Sequence, residues 1–213
     1  MKARSGPPAD AAVPKGKRAQ TKETNRQAIL DAAHEVFTEL GYGETTVRDI
    51  IGRTGLASGT FYNYFRSKEE VFEALSDAAA LKIRPRLKEV RSHARTLEDF
   101  LYATFEAYFL YVAEDHRAFA LMRRNAGHIR VRMDTPEIMA GFDELKDDVA
   151  RAMAEGLFPK IDVDYLCAAL IGIAFEMAEQ MLERPSMDAK EAARFATALV
   201  LGGIPAILKP QPA

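Results

Sequence analysis

From Thr24 onward apolar side chains return every three to four positions, and Ile29, Ala32, Ala33, Val36, Phe37 and Leu40 share one face before Gly41 interrupts the run. That period is the stripe of an α-helix, and a glycine, lacking Cβ, suits a left-handed cap at its end. Thr45 or Thr46 can cap a short second helix whose inner side is Val47, Ile50 and Ile51, ended by Gly55. Leu56 and Ala57 make a turn, and Ser58 is placed to cap a third helix through Phe65. Ser67 with Glu70 three residues on predicts a capping box for a fourth helix, which carries Val71, Phe72, Leu75 and Ala79 as far as Pro85.

Every later segment reads helical as well. Phe100, Leu101, Phe105, Tyr108, Phe109 and Val112 mark a long aromatic helix over 97–114, and a short helix over 116–125 precedes Gly127. Thr135-Pro136-Glu137 is a start signal, with proline at the first helical position, for a helix to Ala154. Asp162 and Asp188 are placed to cap two more, reaching Arg184 and the neighbourhood of Leu208. No segment alternates with period two, so the expected fold class is all-α. It consists of an N-terminal three-helix helix-turn-helix domain and a larger C-terminal helical domain for ligand binding and dimerisation. The expected boundaries are a mobile basic arm over 1–22, the helix-turn-helix domain over 23–68 and the helical body over 69–213.

Two short helices joined by Gly55-Leu56-Ala57 suit a helix-turn-helix, in which one helix crosses the DNA backbone and the next enters the major groove. Phe61 and Phe65 fall on one side of the third helix, toward Val47, Ile50, Phe37 and Leu40, which turns Thr60, Tyr62 and Asn63 outward. Thr and Tyr can touch a thymine methyl, and Asn can pair with adenine through two hydrogen bonds. Ser58 and Gly59 are small enough to let a helix N-terminus approach a phosphate. Thr46, Arg48 and Lys68 are expected to contact the backbone.

The run from Thr45 to Phe72, TTVRDIIGRTGLASGTFYNYFRSKEEVF, resembles the N-terminal domain of TetR-family regulators, as does the end of helix one before Gly41. The resemblance covers residues 24–75. It implies DNA contacts at Thr46, Arg48, Ser58, Gly59, Thr60, Tyr62, Asn63, Tyr64 and Lys68, a homodimer, an inducer pocket in the helical body, and release from DNA when ligand separates the two heads. Gly52 departs from the pattern, which commonly has a longer side chain there. Beyond residue 75 the similarity is one of architecture.

Charge changes the picture once it is divided along the chain. The total is −2, yet residues 1–68 carry 11 Lys/Arg against 7 Asp/Glu, a net +4, and the remainder 18 against 24, a net −6. Phosphate attraction is local, acting over roughly 10 Å in salt, so a basic head on an acidic body fits a DNA reader. The first residues, with Pro7, Pro8, Pro14, Gly6 and Gly16, have no apolar period. They read either as a solubilising tail or as an arm for the minor groove or phosphates.

Aromatic and Met side chains concentrate on three consecutive body helices. Tyr102, Phe105, Tyr108, Phe109, Phe119, Met122, Met139, Phe142, Phe175 and Met177 are read as the lining of an apolar ligand cavity, with ordinary core packing as the alternative. Residues 116–133 hold Arg117, Arg123, Arg124, Arg130 and Arg132 without an acid. This run either meets the anionic head group of a hydrophobic effector such as an acyl thioester of coenzyme A, with Arg123 among the ligand contacts, or pairs with Asp143, Glu144, Asp147 and Asp148. The last two helices carry more apolar face than one neighbour can bury, which predicts a four-helix dimer interface at Ala168, Gly172, Phe175, Ala196, Val200 and Ile204.

A single cysteine, Cys167, leaves no intramolecular disulfide and no cysteine-based zinc site. Neither a signal peptide nor a spanning helix of about 18 apolar residues is read, so the expected location is the cytoplasm with no membrane partner. His34, His93, His116 and His128 stand far apart, and neither a glycine-rich phosphate loop nor a Ser-His-Asp spacing occurs. No enzyme activity, cofactor or metal is expected. The sequence reads as a ligand-responsive transcriptional repressor whose partners are a palindromic double-stranded DNA operator, a small-molecule effector and a second copy of itself. The alternatives are an activator of the same fold and a helical protein-interaction scaffold without DNA binding.

Overall fold

A computed structural model describes residues 16–116, 119 and 135–209, with Lys17 and Arg18 described in their backbone alone. The described helices are α1 (Lys17–Leu40), α2 (Val47–Arg53), α3 (Ser58–Phe61), α4 (Lys68–His93), α5 (Leu97–Glu114), α6 (Pro136–Ala154), α7 (Val163–Glu183) and α8 (Ala189–Ile207). The helix expected over 116–125 and the arginines from 117 to 132 lie outside the described residues.

Local chemistry accounts for most of the ends. Gly41 has φ 84°, a positive value that favours glycine, and its N–H bonds the Phe37 carbonyl at 2.9 Å. Of the two candidate caps for α2, the chain uses Thr46. Its hydroxyl accepts from Asp49 N–H while the Asp49 carboxylate accepts from Thr46 N–H, a reciprocal box. Thr45 is buried instead, its hydroxyl donating to the Gly41 carbonyl at 2.7 Å. Asp162 and Asp188 cap α7 and α8 as expected. Pro136 opens α6, but Thr135 makes no capping bond. Gly156, at φ 79°, turns the chain after α6 and lets Leu157 N–H reach the Ala152 carbonyl.

Four expectations change here. α1 begins at Lys17, so the last residues of the expected arm are helical. α3 is a single α-helical turn, capped by Ala57 with Ser58 inside it, and continues through Tyr62–Tyr64 as a hydrogen-bonded turn closed by Phe65 N–H to the Phe61 carbonyl. α4 runs through Pro85 to His93. Proline removes the N–H that would bond the carbonyl of Leu81, and both Leu81 and Pro85 are exposed, so water can take that bond. Finally, α7 is long and apolar enough to cross a membrane by length and composition. Between Tyr165 and Leu182 it carries two charges, Glu176 and Glu179. A helix with one unpartnered apolar face passes the same test.

The described residues build two cores. In the head, Ile29, Ala33, Val36 and Phe37 of α1 meet Ile50 and Ile51 of α2, Phe61, Phe65, and Val71 and Phe72 from the start of α4. A boundary at residue 68 therefore cuts through the head's own core. In the body, α5 lies centrally, packed by α4, α7 and α8, and α6 bridges α4 and α7. Phe100, Leu101, Phe105, Phe109 and Val112 supply the centre of this second core. α4 belongs to both.

Candidate nucleic-acid interface and effector cavity

Most of the contact residues expected in the head are exposed. Thr46, Arg48, Ser58, Gly59, Tyr62 and Asn63 are exposed, with Tyr62 at 63%, and Phe61 directly behind them is fully buried. Thr60 and Tyr64 are half-buried, Tyr64 against the head core. A Cβ built on Gly59 would meet nothing within 4 Å, so the N-terminal turn of α3 is open to an approaching backbone. Leu40, expected inside, is 46% exposed. Arg53 ties α2 to α1 through Glu39 and, at 3.7 Å, Glu35. Its guanidinium pKa is raised first by its hydrogen bond to Glu39, and that of Glu39 falls for the same reason.

Two expected backbone contacts are used differently. The Thr46 hydroxyl is committed to Asp49, whose carboxyl pKa is held low first by that hydroxyl and then by the Thr46 N–H. Lys68 is half-buried, and its Nζ donates to the carbonyls of Tyr42 at 2.7 Å, Gly43 at 3.1 Å and Thr45 at 2.7 Å. An ammonium has three protons to give, and all three are directed at the protein's own backbone.

In the body a cavity of about 170 Å³ lies among α4, α5, α6 and α7. Of the residues expected to line it, Phe105, Tyr108, Phe119, Phe142 and Phe175 do so. The others described do not. Phe109 is fully buried in the core, stacked beside Phe105 at 5.9 Å. Tyr102 packs against the body core and donates to Glu106 at 3.0 Å, Met139 is 42% exposed, and Met177 packs on the core. Met122 and Arg123 lie outside the described residues. What the pattern missed is the contribution of α4: Ser76, Ala79, Ala80, Ile83 and Leu87 form one continuous wall. Their spacing is a helical stripe, and the run Ala78-Ala79-Ala80 is the signal that could have marked a face too small to fill the space.

The charged lining residues Arg84, Arg91, Glu137 and Glu144 sit at the α4–α6 side, with Asp115 just past the end of α5. Arg84 forks onto Glu144, with Nη2 to Oε1 at 2.6 Å, and also pairs with Glu137. Gly141 lets it lie flat, since a Cβ there would come within 3.3 Å of the Arg84 Cγ. The Glu144 pKa is lowered first by its hydrogen bond from Arg84, and that of Arg84 is raised first by the same bond. Arg91, whose side chain is 3% exposed, pairs with Asp148 at 2.7 Å. Two of the acids expected to answer the 116–133 arginines are thus held by α4. The Thr104 hydroxyl is buried in the cavity wall with no hydrogen-bond partner among the described residues. Cys167 is fully buried, and burial pushes its thiol up to about 11, which leaves it protonated and unreactive near neutrality.

The dimer-face residues divide. Ala168 and Gly172 are exposed and Phe175 and Val200 half-buried, but Ala196 and Ile204 point into the protein's own core. On α8 the outward residues are one helical step away: Phe195 at 64%, Leu199 at 55% and Ile207 at 60% exposed.

An exposed helix-turn-helix mounted on a helical body with an apolar cavity is the architecture of a DNA-binding regulator. Residues 29–75 match the profile of bacterial regulatory proteins of the tetR family. The chain is 27% identical over 138 residues to the fatty acid metabolism regulator protein of Bacillus subtilis (strain 168), covering 64% of this chain and 70% of that protein. It is 25% identical over 191 residues to the HTH-type transcriptional repressor KstR2 of Mycolicibacterium smegmatis, covering 85% and 91%. Its fold is similar to that of the regulator FadR from Bacillus subtilis in complex with stearoyl-CoA, with a TM-score of 0.68 at 22% identity, covering 83% of this chain and 98% of that one. These similarities, in the head and along most of the chain, support a TetR-family transcriptional regulator.

Proposed function

We propose that this regulator is a dimeric repressor that binds a palindromic operator and is released when a hydrophobic effector, an acyl thioester of coenzyme A, fills the body cavity. The observation that carries the reading is the double membership of α4: Val71 and Phe72 belong to the head core, and Ile83, Arg84 and Leu87 wall the cavity. An effector that changes the position of α4 changes the position of the head. A ligand shifts an equilibrium by as much as its affinity differs between the two states. The nearly apolar lining suits an acyl chain, and the complex of the similar Bacillus subtilis regulator with stearoyl-CoA adds support for that class.

In this reading Tyr62 and Asn63, with Thr60, read base edges, and Arg48, Ser58 and Gly59 approach phosphates, with Thr46 beside them as the cap of α2. The dimer face comprises Tyr165, Ala168 and Gly172 of α7 and Phe195, Leu199 and Ile207 of α8, all exposed. Such a face explains why α7 is apolar beyond the needs of one chain. Two heads on adjacent half-sites multiply a weak single-head affinity.

The test is a titration of acyl-CoA esters of graded chain length into a complex of the protein with the duplex it selects from a random library. Release that rises with chain length to an optimum is expected. Retention of the complex at saturating ester of every length would overturn the effector class, and selection of no preferred duplex would overturn the DNA reading.

A further inference from the structure

We infer that Lys68, the first residue of α4, is a positioning residue for DNA reading: it holds the loop between α1 and α2, and with it the start of α2, and neutralises no phosphate. Its three ammonium donors converge on the carbonyls of Tyr42, Gly43 and Thr45 at 2.7–3.1 Å. Nζ also lies 4.7 Å from the centroid of the Tyr42 ring. Tyr42 is fixed from its other sides, its hydroxyl donating to Glu69 at 2.8 Å and its ring set edge-on to Phe72 at 5.1 Å and tilted against Phe37 at 5.5 Å.

The last of the three carbonyls belongs to the residue before Thr46, the cap of α2. Lys68 and Glu69 open α4, so the first turn of the helix that walls the cavity grips the loop that leads into the helix-turn-helix. Turning Lys68 toward a phosphate would strip three charge-assisted bonds and leave the carbonyls of half-buried Tyr42 and buried Thr45 without this donor. One exposed ion pair in salt is a poor exchange.

The inference rests on α2 and α3 being the DNA-contacting pair, and the test separates the two. Full-length wild type, Lys68→Met, Lys68→Arg and Arg48→Met are compared on the selected duplex and on a scrambled one across a salt series, with the active fraction fixed by stoichiometric titration. For Lys68→Met, cognate affinity should fall about tenfold or more, scrambled affinity should hold, and the slope of log K against log salt should not change. Arg48→Met should make that slope shallower by about 0.9, the signature of one lost phosphate contact. Lys68→Arg should fail to rescue, because a planar fork cannot place three donors at one point.

A shallower slope for Lys68→Met, equal loss on both duplexes, or rescue by arginine would make Lys68 a phosphate contact and overturn the inference. A lower active fraction with the cognate preference intact would make it a brace for stability alone and overturn it equally. If wild type itself shows no cognate preference, the DNA-reading assignment fails first.

Discussion

In the head, the hydrogen bonds that set geometry join residues closer in sequence: Thr46 with Asp49, Ser67 with Glu70, Lys68 with Tyr42, and at most Tyr42 with Glu69, 27 positions away. In the body the corresponding contacts join Arg84 to Glu144 and Arg91 to Asp148, 60 and 57 positions apart. The head carries its instructions in caps, turns and a short aromatic core, whereas the body encloses a space whose shape depends on how four long helices lie against each other. One part fixes a surface and the other encloses a cavity.

Phe61→Ala should break this comparison most severely. Deleting a fully buried ring from the small head core should cost about 3–5 kcal/mol. Chemical denaturation should then show a destabilised head and DNA binding should be lost, while effector binding by the body persists. Loss of both together would mean that the two cores fold as one unit.

Arg91→Met attacks the body in the same spirit. It leaves Asp148 with only the exposed Arg151 as an ion-pair partner, and removing one member of a buried pair costs up to about 3 kcal/mol. Arg91→Met with Asp148→Leu should recover part of that loss, because the carboxylate that lost its buried partner is gone. A double variant no more stable than the single one would deny the pair its role.

Ile138→Trp sharpens the comparison without unfolding either part. A larger side chain in the cavity wall should lower effector affinity about tenfold, a change of roughly 1.4 kcal/mol, and leave operator affinity in the absence of effector unchanged. Calorimetry and anisotropy read the two quantities separately. Gly52→Ala should act in the opposite direction on the head. Gly52 lies inside α2, and an alanine Cβ there would meet nothing within 4 Å, so the substitution should stabilise by about 0.5–1 kcal/mol, seen as a higher urea midpoint.

The smallest effect is one of pH. Glu144 has its pKa lowered by Arg84 from an ordinary 4.5. A depressed carboxylate contributes stability that is present above its unfolded value and lost as pH falls through the folded one. The α4–α6 contact should therefore weaken only in acid, below about 4.5, and thermal melting of Glu144→Gln should show less acid sensitivity than wild type. Equal acid sensitivity would show that this pair does not hold the cavity wall.

How much of this is legible in the sequence follows the same division. Helical period and caps are enough for α5 through α8, because Asp162, Asp188 and Pro136 each act on the next three residues. The exposed ridge of Tyr62 and Asn63 follows from placing Phe61 and Phe65 inward. Lys68 is not legible, because a lysine near a helix-turn-helix looks the same in sequence whether it reaches phosphate or its own backbone. Ala196 and Ile204 turn out to lie inside because a helix with two apolar faces does not say which one its own chain covers. The α4 wall is hidden for a related reason: Pro85 suggests an end where the exposed Leu81 carbonyl can accommodate the lost bond.

The central claim is that α4 joins effector and DNA through one element, and thermodynamic reciprocity tests it most directly. Effector affinity should be measured by calorimetry on the free protein and on the protein saturated with its selected duplex, and duplex affinity with and without saturating effector. The account predicts that both affinities fall by the same factor. An effector that occupies the cavity with equal affinity in free and DNA-bound protein would contradict it.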